Sequence, residues 1–150
     1  MTWSPHTTVA TVVEQDGRFL MVEETDGGHT VFNQPAGHLD AKETLFQAAV
    51  RETLEETGWH VTLTGFLGTY VYDAPNGTTY VRHSFIARAD RHDPEVALDT
   101  GIIAAHWLTP EAMQSAGFPA RSPLVLKTLA DYLSGRRLPL DTVYHHDPHD

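Results

Sequence analysis

The stretch that decides the fold is residues 37–59, GHLDAKETLFQAAVRETLEETGW, in which a glycine-led loop is followed by a helix and a second glycine. Near the end of this helix stand Glu52, Glu55 and Glu56. Their spacing places three carboxylates on one helix face, where like charges repel unless a cation lies among them. Taken alone, the pattern also fits a solvated acidic face.

The remaining residues of this helix argue against a solvated face. The acidic side continues into Leu45 and Ala48, and the opposite side carries Phe46 and Val50. A helix that is apolar on two sides is expected to pack between layers. Arg51 lies beside the acids, and its rigid fork can orient a carboxylate. A partly buried acidic cluster favours hard divalent cations such as Mg²⁺ or Mn²⁺.

This stretch resembles the signature of the Nudix hydrolase family, which reads G, five residues, E, seven residues, then R-E-U-x-E-E-x-G-U, with U bulky and apolar. The positions that match are Gly37, Glu43, Arg51, Glu52, Glu55, Glu56 and Gly58. The two U positions hold Thr53 and Trp59, and the β-branched threonine has a girth suited to packing there. The resemblance implies an α/β fold, an α/β/α sandwich with a mixed β-sheet, and an enzyme that hydrolyses phosphoanhydrides.

The resemblance also implies a metal site. Its ligands are Glu52, Glu55 and Glu56, joined by the carbonyl of Gly37. The implied cofactor is Mg²⁺, with Mn²⁺ as a substitute. A metal of this kind offsets the charge on the phosphates and on the leaving oxygen.

Catalytic roles follow from the same resemblance. Arg51 is expected to orient the acids, and Glu43 to brace Arg51 or to bind a second metal through water. Within the signature, Glu55 is the choice for general base. Several Nudix enzymes use a carboxylate outside it, and the candidate here is Asp99, for which a solvated loop acid is an equal alternative.

The composition of the chain limits the kinds of molecule that it is expected to bind. The chain has 150 residues, a formal charge of −10 and no cysteine. Without a basic stripe it is not expected to bind nucleic acid, although bound metal ions would let an acidic site hold a polyphosphate. No apolar run approaches the roughly 20 residues that span a membrane, and the N-terminus lacks the features of a secretory signal. We therefore expect a cytoplasmic protein.

Elsewhere the pattern predicts six strands and two further helices, hence a mixed sheet between helical layers. The predicted strands cover residues 7–14, 18–24, 30–33, 61–72, 78–89 and 102–108, and the helices begin at Pro110 and Pro123. A polar loop is predicted over residues 90–101. Thr44 with Gln47 forms a capping-box pattern for the signature helix, and Asp40 is the competing N-cap. We expect one domain over residues 1–140 and a disordered tail over 141–150, whose histidines offer a weaker metal-binding alternative.

Flanking motifs resemble small bacterial phosphatases of the family. They are EET at 23–25, NQPAGH at 33–38, RSPLV at 121–125 and SGxRxPL at 134–140. This resemblance extends from about residue 6 to about 140. It implies hydrolysis of nucleoside tri- and diphosphates and of hydroxymethylpyrimidine pyrophosphate, with release of orthophosphate by a monomer.

Five residues are candidates for the substrate side of the cleft: Glu23, Gln34, His38, Arg82 and Asp99. Glu23 lies on a strand leading toward the signature loop. Arg82 lies in the middle of a strand, where a cation can meet a terminal phosphate. An ordinary exposed strand arginine is the competing interpretation.

Two other functions compete with this one. The first is a pyrophosphohydrolase that releases a nucleoside monophosphate from ADP-ribose or a dinucleoside polyphosphate. The second is a Nudix-fold binding module without turnover. Such modules commonly lose an acid of the signature, and this chain retains them all.

Overall fold

The computed structural model describes residues 2–149, and its centre is a mixed seven-stranded sheet. The strands are β1 (His6–Gln15), β2 (Arg18–Asp26), β3 (His29–Asn33), β4 (Ala36–His38), β5 (Trp59–Asp73), β6 (Thr79–His92) and β7 (Ile102–Leu108). The path runs β3-β2-β1-β6-β5, with β4 paired to β1 and β7 to β2. Only β1 and β6 pair in parallel; the other pairs are antiparallel, so the predicted mixed sheet is confirmed.

The sheet opens where β1 and β2 separate. These two strands pair at just two positions beside their turn. Farther along, β1 pairs with β4 and β6, while β2 pairs with β3 and β7. The separation of the two strands leaves space between them, and this space becomes part of the cleft described below.

The helices cover opposite faces of the sheet. They are α1 (Leu45–Thr57), α2 (Pro110–Met113) and α3 (Pro123–Leu133), and a 3₁₀ turn follows at Leu140–Thr142. Alternate side chains of a strand point to opposite faces. Val9 accordingly packs in a cluster with Ala48 of α1, whereas Val12 packs with Val125 and Leu129 of α3.

The ends of α1 follow local sequence rules. Thr44 is the N-cap, and the Thr44–Gln47 capping box is complete, with backbone-to-side-chain bonds of 3.0 and 2.9 Å. Gly58 ends the helix in the left-handed conformation, with φ of 78°, which glycine adopts at little cost. Asp40, the competing cap, lies in the preceding loop. The prediction of Thr44 as cap is therefore confirmed.

Several predicted boundaries were wrong. The signature loop contains strand β4, because residues 36–38 pair with β1. Strand β6 runs on to His92, into the predicted polar loop. After α3, Leu138 and Phe66 exchange backbone hydrogen bonds of 2.8 and 2.9 Å, which join this segment to β5. The domain limit near residue 140 and the disordered tail stay predictions.

Within residues 2–149, none of the helices has both the length and the apolar character needed to cross a bilayer.

Candidate active site

A cleft of about 640 Å³ lies between the separated strands. Its wall includes residues from β1 to β4, the acidic side of α1, the β5–β6 hairpin tip at residues 74–76 and the first turn of α3. Glu52 and Glu56 line one part of it, and Arg82 and Arg121 line another. Acidic and basic side chains thus share one cavity.

Gly37 is required by the position of Glu52. A Cβ atom placed on Gly37 would lie 2.1 Å from Cδ of Glu52 and 2.2 Å from one carboxylate oxygen. Any larger residue therefore displaces this carboxylate. The leading glycine of the signature stretch lets the loop backbone and the α1 carboxylate approach within contact distance.

Arg51 holds three acids in place. Its guanidinium donates to Glu43 at 2.6 and 2.9 Å, to Glu52 at 2.9 Å and to Glu55 at 3.1 Å. A fifth bond reaches the carbonyl of His38 at 3.1 Å, which ties the helix to β4. The Arg51 guanidinium lowers the pKa of Glu43 from its ordinary value. Arg51 thus lies between Glu43 and two acids of α1, and the orienting role of Arg51 and the bracing role of Glu43 stay predictions.

Glu52, Glu56 and Asp99 form a cluster of converging carboxylates. One carboxylate oxygen from each lies within 4.8 Å of the other two. Burial raises the pKa of Glu56 to about 8, and burial also raises the pKa of Glu52. The Glu56 carboxylate accepts the backbone N–H of Ala36 at 2.8 Å. Among the described residues, no basic side chain lies within 4.0 Å of the Glu56 or Asp99 carboxylates.

These residues fit a divalent cation. Three converging carboxylates supply the oxygen ligands that Mg²⁺ and Mn²⁺ prefer. Glu56 is partly buried and has no basic side chain beside it in the part of the chain that the structure describes, so its charge is costly, and a metal ion would offset that cost. The Arg51 bond of 2.9 Å holds the Glu52 carboxylate in the space beside Gly37.

Asp99, from outside the signature, completes the three-acid cluster, and Glu55 does not belong to it. The Glu55 carboxylate contacts Arg51, its side chain is 40% exposed, and it lies outside the three-acid cluster. Asp99, from the loop before β7, lies inside it. The backbone N–H of Asp99 donates to the Glu55 carbonyl at 3.1 Å, which anchors this loop to the end of α1.

Arg82 is buried, so the interpretation as an exposed strand arginine was wrong. The residue is 6% exposed, lines the cleft, and donates to Asn33 Oδ1 at 3.1 Å and Gln34 Oε1 at 2.9 Å. Gln34 is itself 3% exposed and donates to the carbonyl of Val125 at 2.9 Å. Gln34 therefore lies behind Arg82 as a support.

Of the two remaining candidates for substrate binding, His38 lines the cleft and Glu23 does not. His38 lines the cleft, and its ring nitrogen Nε2 lies 3.1 Å from Nδ1 of His6. Glu23 instead contacts His106 at 2.9 Å, and the neighbouring Glu24 lines the cleft. Adjacent strand residues face opposite sides, so the choice of Glu23 over Glu24 put the carboxylate on the wrong face.

Other cleft residues had no assigned role in the sequence interpretation. They include Glu24, Asn33, Tyr80 and Arg121. Three of them stand in or beside the flanking motifs at residues 23–25, 33–38 and 121–125. The motifs indicate which segments of the chain form the cleft, but only the strand pairing shows which of their side chains line it.

Comparison with known proteins agrees with this geometry. The family model of the NUDIX domain matches residues 4–129. Phosphatase NudJ of Escherichia coli strain K12 is 40% identical over 141 residues, which cover 94% of this chain and 92% of that protein. The solved structure of a NUDIX hydrolase from Nitrosomonas europaea has a TM-score of 0.93 and 41% identity, covering 97% of this chain and 99% of that one.

More distant structures share the fold alone. An Ap4A hydrolase from C. elegans has a TM-score of 0.64 at 23% identity, covering 87% of this chain and 98% of that one. The family model, the similarity to NudJ and the retained acids together exclude the interpretation as a binding module without turnover. The chain therefore belongs to the Nudix hydrolase family and is a phosphohydrolase similar to NudJ.

Proposed function

We propose that the chain is a Mg²⁺-dependent enzyme that hydrolyses nucleoside tri- and diphosphates, and hydroxymethylpyrimidine pyrophosphate, with release of orthophosphate. The convergence of Glu52, Glu56 and Asp99 in a cleft that also contains Arg82 carries this proposal. The 40% identity to a phosphatase over 94% of the chain supports the release of phosphate.

The proposed reaction adds one water to one phosphoanhydride bond. The water oxygen bonds to phosphorus, the bond from phosphorus to the bridging oxygen breaks, and the water proton passes to a carboxylate. When bound, Mg²⁺ supplies charge neutralisation for the phosphates and the leaving oxygen. Glu52, Glu55 and Glu56, with the Gly37 carbonyl, are its proposed ligands, and Asp99 joins them by position.

Carboxylates of the chain are proposed to accept the proton of the attacking water. Arg51, braced by Glu43, fixes the Glu52 and Glu55 carboxylates. Glu55 and Asp99 are the two proposed general bases. Glu55 is half-exposed and held by Arg51, whereas Asp99 is exposed and lies beside the partly buried Glu52 and Glu56. A general base needs reach to the attacking water, so the two carboxylates are to be compared directly by substitution.

A phosphate-release screen with Mg²⁺ tests the proposal. It covers nucleoside di- and triphosphates, hydroxymethylpyrimidine pyrophosphate, ADP-ribose and diadenosine polyphosphates. We expect orthophosphate from the nucleoside di- and triphosphates and from hydroxymethylpyrimidine pyrophosphate. Release of AMP from ADP-ribose or a dinucleoside polyphosphate, without orthophosphate from the others, would establish a pyrophosphohydrolase instead.

Catalytic variants provide the second test. Glu56→Gln and Glu55→Gln should each lower kcat by orders of magnitude while the fold stays intact, because each removes a charge that the reaction uses. Asp99→Asn measured beside Glu55→Gln should show which acid serves as base. Circular dichroism checks the fold. A fall of less than about tenfold in either glutamate variant contradicts the assigned role.

The proposed setting is the cytoplasm, and the proposed state is a monomer without nucleic-acid or membrane partners. The acidic charge of −10 supports the absence of a nucleic-acid partner. Size-exclusion chromatography with light scattering measures the oligomeric state directly.

A further inference from the structure

Arg82 is a buried cation in the wall of the cleft. The residue is 6% exposed, and burial lowers the pKa of its guanidinium to about 10. Within residues 2–149, no carboxylate oxygen lies within 4.0 Å of its nitrogens. Glu56 and Glu24 act on it through space only. A buried charge without a direct partner is costly, and an anionic ligand would remove that cost.

Most of the hydrogen-bonding capacity of Arg82 is unused. A guanidinium has five N–H groups. Two of them meet the neutral amide oxygens of Asn33 and Gln34, which orient the group without neutralising it. Its Nε is buried and has no partner among the described residues. Buried polar groups are nearly always paired, so this atom shows that the chain itself, as far as the structure describes it, does not fully satisfy the Arg82 guanidinium.

The surroundings of Arg82 add positive potential. Gln34 connects Arg82 to the first turn of α3 through the Val125 carbonyl at 2.9 Å. Ser122 and Leu124 of that turn line the cleft, and the start of a helix carries partial positive charge. Arg121 also lines the cleft, where Glu24 holds it at 2.8 Å. Asp26 also lies 3.7 Å from Arg121, so acids partly offset this charge, and the positive groups near Arg82 are Arg121 and the start of α3.

We propose that Arg82, with Arg121 and the start of α3, binds the terminal phosphate of the substrate, and that the enzyme thereby selects phosphoanhydrides ending in a free phosphate group. This inference rests on the proposed function. A terminal phosphate carries up to two charges and three unsubstituted oxygens, which suit a planar guanidinium. ADP-ribose and dinucleoside polyphosphates present esterified phosphates, with one charge each and a bulky group in place of a free oxygen.

The test compares ADP with its β-phosphate methyl ester, which blocks the terminal phosphate. The wild type should prefer ADP in kcat/KM by at least about tenfold, the amount expected from one charged hydrogen bond. Arg82→Gln should lose most of this preference. Arg88→Gln is the matched control, because Arg88 stands on the same strand, is 64% exposed and pairs with Asp90. It should keep the preference unchanged.

A purely structural role for Arg82 gives a different result. In that case Arg82→Gln lowers kcat/KM for both substrates by the same factor, and the proposal is overturned. If Arg82→Gln does not fold, Arg121→Gln replaces it, since this side chain is 40% exposed. Arg121→Gln should weaken the preference by a smaller factor, and an unchanged preference in a folded Arg121→Gln overturns the proposal.

Binding without turnover separates this inference from the proposed function. Inorganic phosphate added to the Mg²⁺-saturated proteins should raise the Tm of the wild type and of Arg88→Gln further, but not that of a folded Arg82→Gln. Arg121→Gln, used in its place, should show a smaller rise than the wild type. If no substrate is hydrolysed while this pattern holds, the proposed function fails and the phosphate site stands. Equal protection of all folded variants, or no protection of the wild type, overturns the site.

Discussion

At the scale of single residues, close contacts explain why the signature stretch needs particular side chains. Thr53, at a position where the family pattern expects a bulky apolar residue, is fully buried in this chain. Its hydroxyl donates to the Ala49 carbonyl at 2.7 Å and lies 2.8 Å from the hydroxyl of Thr11 on β1. Because its polar atom is satisfied, threonine packs there without the cost of an unpaired group.

The Gly37 contact leads to a prediction at the same scale. Gly37→Ala places a methyl group 2.1 Å from Cδ of Glu52, so this carboxylate must move. Displacement of a catalytic group by about 1 Å costs roughly 100-fold, and we expect a loss of that size in kcat/KM. Thermal unfolding should show a lower Tm as well.

A double variant provides the control. All three atoms nearest to the added methyl belong to Glu52. In a Glu52→Ala background, Gly37→Ala should therefore leave the Tm nearly unchanged. A Tm loss of the same size in both backgrounds would show that the glycine is needed for another reason.

At the scale of secondary-structure elements, α3 is connected to the sheet by a polar bond as well as by its apolar face. The Tyr70 hydroxyl of β5 donates to Asp131 Oδ2 at 2.7 Å, and Lys127 donates to Asp131 Oδ1 at 2.8 Å. Lys127 and Tyr70 together hold the pKa of Asp131 below its ordinary value. Ionised Asp131 therefore stabilises the folded state.

This bond predicts a pH-dependent effect of Tyr70→Phe. A lowered folded-state pKa contributes stability above the unfolded value, and this contribution is lost as the pH falls through the folded value. Tyr70→Phe should cost about 1 kcal/mol at pH 7, and the difference from wild type should shrink below about pH 4. Urea unfolding at several pH values measures it.

Tyr144→Phe is the control for that experiment, because Tyr144 is 78% exposed and should leave stability unchanged. A Tyr70→Phe cost that stays constant while Asp131 itself becomes protonated, as followed by NMR, would show that Asp131 ionisation is not involved.

At the scale of the whole molecule, the three-acid cluster joins two distant parts of the chain. Glu52 and Glu56 come from α1, and Asp99 comes from the loop before β7. Two backbone bonds hold that loop to the end of α1, from Asp93 to Gly58 at 2.7 Å and from Asp99 to Glu55 at 3.1 Å. A cation among these acids is therefore expected to bind the folded chain far better than the unfolded one.

Metal removal tests this expectation. A ligand at about 100 times its Kd adds roughly 2.7 kcal/mol, so saturating Mg²⁺ or Mn²⁺ should raise the Tm by several degrees over EDTA. Glu56→Gln should lose most of this rise. Glu111→Gln, an exposed acid in the first turn of α2, should keep it. An equal rise in both variants would place the metal elsewhere.

Much of the site was already implied by residues 37–59. The spacing of Glu52, Glu55 and Glu56, the Thr44 cap and the Gly58 stop were all readable, because helix geometry relates residues three or four positions apart. The resemblance of the same stretch identified the family. These features depend on local chain geometry, which the order of residues determines directly.

Only the tertiary structure decided which distant side chains share the cleft. In the folded chain Asp99 lies beside Glu52 and Glu56, and Glu24 rather than Glu23 lines the cleft. Arg82 is buried and donates hydrogen bonds to Asn33 and Gln34. The position of Asp99 depends on the bonds that hold its loop to α1, and the other two outcomes depend on strand register and on the separation of β1 from β2. A shift of one residue in register reverses the face that every side chain of a strand presents, and a local pattern in the sequence does not specify it.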